Sequence, residues 1–315
     1  MIPDFKFSSN FNENFPHIKE WISLGETITP VLKYRKVSFK LDYYLPTFSY
    51  KDRGYRAALS ALLPFFQKNN IQELNEDSSG NAGASLSGYG AAAGMRVNIF
   101  VPESAAAGKI RQIESYGAKV MRVKGNREDV ANEAIQHKGF YMSHVLVPEF
   151  RDGIRSLAYE IFLQGNGSFP DRIYIPASAG TLLLGLHKGI EHLFNSGEIT
   201  DIPKIIAVQP ELINPICCAL EGKNYVSKGK RSIADALVTE RSLLMERVVD
   251  VLKATDGKCI SVTENEIKDA WKKLASHGML CEFSSAAAYA GFLKKEYGEN
   301  NLIILTGNGL KSLMQ

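Results

Sequence analysis

Short apolar runs alternate along the chain with longer segments in which small and apolar residues recur at helical spacing. From Gln72 a strand runs to about Asp77, a Gly-rich turn follows, and an Ala-rich helix from Ala82 closes at Gly94. The strand Val97 to Val101 comes next, then a helix through Ile110 and Ile113 closed by Gly117. A strand at Lys119 to Val123, a helix near Glu128 to His137 and a strand at Phe140 to Ser143 complete this stretch. Strands alternating with glycine-stopped helices predict parallel β-α-β units and hence an α/β sheet.

The second half shows the same grammar in longer pieces. Strands are predicted at Arg172 to Pro176, Lys204 to Val208, Cys259 to Val262 and Asn301 to Leu305, with helices from Leu182 to Phe194 and Ser284 to Leu293. Thr263 with Glu266 three residues on predicts a capping box opening a further helix. Strands at Val31 to Leu32 and Phe39 to Tyr44 precede the repeating part. Residues 1 to 24 carry no strong periodicity and are expected to wrap over the surface of a larger body. Gly222 to Ser232, polar and basic, reads as a loop.

A length of 315 residues allows about two domains at about 100 to 200 residues each. The net charge of +3 argues against nucleic acid or a membrane surface as partner. The longest apolar stretches, such as Leu302 to Leu305, fall far short of the roughly 20 residues of a membrane span. The start, Met1 to Phe5, lacks the features of a secretory signal, so a cytoplasmic location is expected. Cys217, Cys218, Cys259 and Cys281 show no Cys-x-x-Cys spacing; neither a zinc ribbon nor a redox pair is expected, and Cys217-Cys218 reads as buried thiol packing. His187 and His192 are five apart, the wrong spacing for one helical face, so no metal site is read.

Four stretches carry chemistry. Lys51 stands between Tyr50 and a helix beginning near Gly54; a lysine that loses hydration there becomes an amine able to form a Schiff base. Asp77-Ser78-Ser79-Gly80-Asn81-Ala82-Gly83 joins a strand to a helix, where backbone amides favour an anion such as a carboxylate. A plain helix cap is the ordinary explanation of such a turn. Ala177 to Thr181 makes a second strand-to-helix turn of small residues, suited to a phosphate monoester. Thr306-Gly307-Asn308-Gly309 ends the last strand, where a hydroxyl could meet a heteroaromatic nitrogen. In this order the four match the needs of a phosphorylated aldehyde cofactor.

These segments, with Ser23 to Pro30 and Val101-Pro102-Glu103-Ser104, give a chain that resembles the fold-type II pyridoxal-phosphate enzymes of the tryptophan synthase β family, and within it the threonine synthases. The resemblance implies an α/β fold of two open parallel sheets, a large cofactor-binding domain from residues 1–50 and 151–315, and a small mobile domain from 51–150. It implies pyridoxal 5'-phosphate as cofactor, in a cleft between the domains, and a homodimer. It implies Lys51 as the Schiff-base lysine and Asn81 beside the ring hydroxyl. Ser178, Ala179, Gly180, Thr181 and Leu182 would be the phosphate cup and Thr306 would meet the ring nitrogen. Ser78, Ser79 and Ala82 would surround the substrate carboxylate, and Arg151 or Arg155 would meet a leaving phosphate as fork donors.

The expected reaction is conversion of O-phosphohomoserine and water to threonine and phosphate. The chain departs from the threonine synthase pattern where that substrate is recognised. Leu45, Phe48 and Tyr50 replace Asn, Gly and Phe; Ala82-Gly83 loses two hydroxyls; the arginine of Val147 to Ser156 is shifted by one; and Ser178-Ala179 replaces Gly-Asn. The alternatives are therefore a serine or threonine dehydratase, a β-replacement enzyme of the cysteine synthase type, or a paralogue that binds the cofactor without catalysis. A dinucleotide-binding domain is disfavoured, because no Gly-x-Gly-x-x-Gly follows the first strand of a β-α-β unit.

Overall fold

A computed structural model describes residues 6–103, 105, 107–295 and 297–313; Met1 to Phe5 and Ser104, which enter the sequence reading, lie outside them. In chain order the first elements are strands β1 (Val31–Tyr34) and β2 (Val37–Leu41), helix α1 (Lys51–Lys68), β3 (Glu73–Glu76) and α2 (Asn81–Ala92). Then come β4 (Arg96–Pro102), α3 (Ala107–Ser115), β5 (Lys119–Val123), α4 (Arg127–Gln136), β6 (Phe140–Tyr141) and α5 (Pro148–Gln164). The second half holds β7 (Arg172–Pro176), α6 (Thr181–Asn195), β8 (Lys204–Pro210), α7 (Pro215–Leu220) and α8 (Met245–Ala254). It ends with β9 (Lys258–Val262), α9 (Glu264–Ala275), α10 (Phe283–Lys294), β10 (Asn301–Leu305) and α11 (Leu310–Leu313).

The chain divides into two compact units. The first comprises Met1–Asn14, Ile28–Tyr44 and Ile154–Leu310; the second comprises Phe15–Thr27, Leu45–Gly153 and Lys311–Gln315.

The first unit is built on a six-stranded sheet in the order β1-β2-β10-β7-β8-β9, parallel throughout except for the β1–β2 pair. Strand β10 is buried at all five positions, as a central parallel strand covered on both faces requires. Its Ile303 and Ile304 are fully buried, each stabilising the fold by about 1.5–3 kcal/mol relative to exposure. Helix α10 is made of small residues for a steric reason: a Cβ at Gly291 would come within 2.5 Å of Val208 Cγ2 on β8. Because β10 and β7 are parallel neighbours, the turns that follow them, at Thr306 and at 177–180, leave the same carboxyl edge of the sheet.

The second unit holds a four-stranded parallel sheet in the order β5-β4-β3-β6. Strand β3 ends at Glu76 and runs into the Ser78–Gly80 turn and α2; its neighbour β6 leads to Met142 and His144 at the same edge. Gly83 makes that turn possible, since a Cβ there would lie 2.0 Å from the Ser78 carbonyl oxygen. The expected α/β class and parallel sheets are what the chain forms, including the Thr263–Glu266 capping box.

One expectation needs correction. Cys217 and Cys259 form a disulfide across 42 positions, so Cys217 is not a packed thiol; α7 and β9 bring the two sulfurs together, which sequence spacing cannot show. Cys218 and Cys281 are free thiols. Most described residues of the amino-terminal segment are exposed or half-buried; Phe15 is fully buried, and Phe7 lies with its ring centroid 5.3 Å from that of Tyr159. The stretch 147–156, read as a substrate motif, is mostly the start of the 17-residue helix α5. Among the described residues no helix is long and apolar enough to cross a membrane.

Candidate active site

Helix α1 begins at Lys51, and the segment before it decides how that lysine is held. Asp52 Oδ2 accepts from the Thr47 backbone N–H at 2.7 Å, and its Oδ1 accepts from the Thr47 hydroxyl and, at 2.7 Å, from Ser85 Oγ on α2. Burial pushes the Asp52 carboxyl up to about 6 despite these donors and the nearby Lys311 ammonium. Lys51 itself is half-buried, with Nζ 4.8 Å from the centre of the Tyr50 ring and 5.4 Å from that of Phe150. Gly54 leaves room for this arrangement, because a Cβ there would lie 2.4 Å from the Phe150 ring.

Across the carboxyl edge of the same sheet, Ser78, Ser79, Gly80 and Asn81 are half-buried at the start of α2. The N-cap residue is Gly80 and no side chain caps the helix. Among the described residues a Cβ at Gly80 would meet only Ser78 Oγ, at 3.9 Å. Ala82 is buried behind the turn at 2% exposure, without a polar group to offer. Asn81 Oδ1 accepts from Lys311 Nζ at 2.8 Å.

In the first unit the turn after β7 has the same character. Gly180 is the N-cap of α6, stands at φ 96°, and again no side chain caps the helix. By contrast α4 and α9, remote from these turns in sequence, each carry a complete capping box. Uncapped helix starts with glycine at the N-cap suit an anion bound by main-chain N–H groups. The turn is tied down from outside: Ser178 Oγ donates to Thr239 Oγ1 at 2.9 Å, and Ser242 Oγ donates to the Ala179 carbonyl at 2.7 Å. Thr181 and Leu182 are buried at the first turn of α6. At the end of β10, Thr306 Oγ1 lies 2.9 Å from Ser285 Oγ, which also accepts from the Thr306 and Gly307 backbone N–H groups.

The structure thus brings Lys51, Ser78, Ser79 and Asn81 to one edge of the second unit's sheet, and residues 178–182 and Thr306 to one edge of the first unit's. Arg155 is corrected as a substrate contact. It is 1% exposed inside the first unit, where it donates to Tyr159 Oη at 2.6 Å and to the Asn14 carbonyl at 3.0 Å. A phosphate would have to displace buried hydrogen bonds to reach it. Arg151 is half-buried and donates to the Val145 carbonyl.

Sequence reasoning gave no role to Ser285, Lys311, Glu76 or His144. Glu76, fully buried at the end of β3, has Oε1 2.7 Å from His144 Nδ1, and its Oε2 has no hydrogen-bond partner among the described residues. The Glu76-Asp77 pair before the Ser-Ser-Gly-Asn turn was the available signal.

Residues 22–307 match the family model described as pyridoxal-phosphate dependent enzyme. Threonine synthase of Methanocaldococcus jannaschii is 30% identical over 313 residues, covering 92% of this chain and 76% of that protein. Threonine synthase of Halalkalibacterium halodurans is 28% identical, covering 92% and 84%. Among solved structures, maize serine racemase superposes with a TM-score of 0.80 at 20% identity, covering 96% of this chain and 94% of that one, a likeness of fold alone. Matched over most of its length, the chain belongs to the pyridoxal-phosphate dependent enzymes of fold type II.

Proposed function

We propose that this enzyme is a lyase of the threonine synthase type, with Lys51 as the residue that carries the cofactor and moves the substrate's α proton. The observation that carries the assignment is the placement of Lys51 at the start of α1, with its Nζ beside the Tyr50 and Phe150 rings. The residues fit the group. Glycine N-caps leave α2 and α6 without capping side chains. Ser178 to Leu182 would bind the phosphate through main-chain N–H groups, Asn81 would meet the ring hydroxyl, and Thr306, oriented by Ser285, the ring nitrogen. Bound pyridoxal phosphate supplies an electron sink for the pair released when the α proton leaves. Ser78 and Ser79 would hold the substrate carboxylate before the uncapped end of α2. The Lys51 amine would take the α proton and return it at a later carbon. The relatives' names support threonine as the product, and the family resemblance implies O-phosphohomoserine and water as substrates with phosphate as the second product.

One observation favours a second assignment, a dehydratase or β-replacement enzyme acting on a hydroxyl amino acid. Ala82 and Gly83 offer no hydroxyl, Arg155 is committed to Asn14 and Tyr159, and the Asp77 carboxyl precedes the carboxylate turn. A site of that composition suits a neutral leaving group better than a phosphate dianion. Phosphate and ammonia release measured separately on O-phosphohomoserine, serine and threonine decides between them. Phosphate release with threonine formation supports the first; ammonia from serine or threonine, without phosphate release, replaces it by the second.

A further inference from the structure

Lys311 is a buried cation with a specific partner. It is 8% exposed, and its ammonium donates to Asn81 Oδ1 at 2.8 Å across 230 positions of sequence. The same ammonium stabilises the ionised form of Asp52, the residue after Lys51. Burying an ammonium is costly unless it is hydrogen-bonded and paired. Asn81 opens α2, and Asp52 lies in the first turn of α1. Lys311 does more than fasten α11 to the body, because an amide whose oxygen accepts from an ammonium has its orientation decided. The Asn81 oxygen faces Lys311, so the Asn81 NH2 faces the other way.

We propose that Lys311 is a positioning residue that turns the Asn81 NH2 toward the cofactor's ring oxygen and, as a buried positive charge behind it, stabilises that oxygen as an anion. This rests on the assignment of Asn81 to the ring hydroxyl. An amide polarised by a cation at its oxygen is a better donor from its nitrogen, and a fixed positive charge nearby favours loss of a neighbouring proton.

The test uses the full chain as wild type and as Lys311→Met, Lys311→Arg and Asn81→Ala. The visible band formed on adding pyridoxal 5'-phosphate to stripped protein is titrated against cofactor concentration and against pH, and unfolding of the stripped protein is followed in urea. Lys311→Met is expected to weaken cofactor binding about tenfold, the effect of losing one charge-assisted hydrogen bond, and to move the pH midpoint of the band upward. Lys311→Arg restores most of both. In the Asn81→Ala background the Lys311→Met change has a clearly smaller effect on binding. A band with unchanged affinity and midpoint in Lys311→Met, with only the urea midpoint altered, would mean that Lys311 merely anchors the chain end and would overturn the proposal. Absence of the band from wild type would instead overturn the assignment of Lys51 and Asn81 on which it rests.

Discussion

Glu76 Oε1 stands 2.7 Å from His144 Nδ1, the separation of a hydrogen bond. Burial drives the Glu76 carboxyl well above the usual carboxylate range and the His144 imidazole well below its own, with the Lys51 ammonium pressing His144 the same way. Both shifts favour a neutral acid beside a neutral ring. His144 also shares the Phe150 ring with Lys51: the His144 and Phe150 centroids are 5.8 Å apart. Imidazole nitrogen NMR should find His144 uncharged at about pH 6, where an ordinary histidine is more than half protonated. Glu76→Gln, which keeps a hydrogen-bonding partner for the ring, should be tolerated far better than Glu76→Ala. A His144 that titrates at or above its ordinary 6.5 would contradict a pair kept neutral by burial.

Asp52 makes the fold sensitive to pH. Its carboxyl ionises at about 6 in the folded chain against 3.8 ordinarily, so between those values the folded form holds a proton that the unfolded form has released. Its contribution is fully present below the unfolded value and is lost as pH rises through about 6, by about 3 kcal/mol. Urea midpoints from about pH 4 to 7 should fall more steeply in wild type than in Asp52→Asn. Equal slopes would show that the Thr47 and Ser85 donors outweigh burial.

Gly180 is required twice over. Its φ of 96° lies where a side chain is strained, and a Cβ would approach the stiff, buried Val248 at 2.4 Å. Gly180→Ala should cost about 3 kcal/mol and weaken the cofactor's phosphate contact. Loss of stability with unchanged cofactor affinity would place the phosphate elsewhere.

The Cys217–Cys259 bridge closes a loop of 42 positions, which on chain-entropy grounds alone stabilises the oxidised fold by about 4 kcal/mol. Thiol titration of the denatured, unreduced protein should therefore find two free cysteines, and reduction should lower the unfolding midpoint. Four free thiols in protein prepared without reductant would show that the bridge does not form.

Much of the α/β order was legible because it rests on local signals: glycine-stopped helices, apolar strand runs, and the Thr263–Glu266 box. Helices α5 and α8 were not picked out, although Phe150, Ile154, Leu157, Ile161 and Val248, Val249, Leu252 carry helical spacing; in α5 the two arginines drew attention to chemistry instead. The remaining differences are contacts that topology alone creates. Glu76 and His144 meet because β3 pairs with β6, and Lys311 meets Asn81 across 230 positions. Ser285 holds Thr306 because α10 packs beside β10. Arg155 looked available until Tyr159, one helical turn on, and Asn14 were seen to claim it.

Lys51 is expected to bind the cofactor covalently. Hydride reduction of the loaded protein, followed by proteolysis and peptide mass mapping, should find one pyridoxyl group, on Lys51, and none in Lys51→Ala. A label on another lysine, or no label on protein that still retains the cofactor, would contradict it.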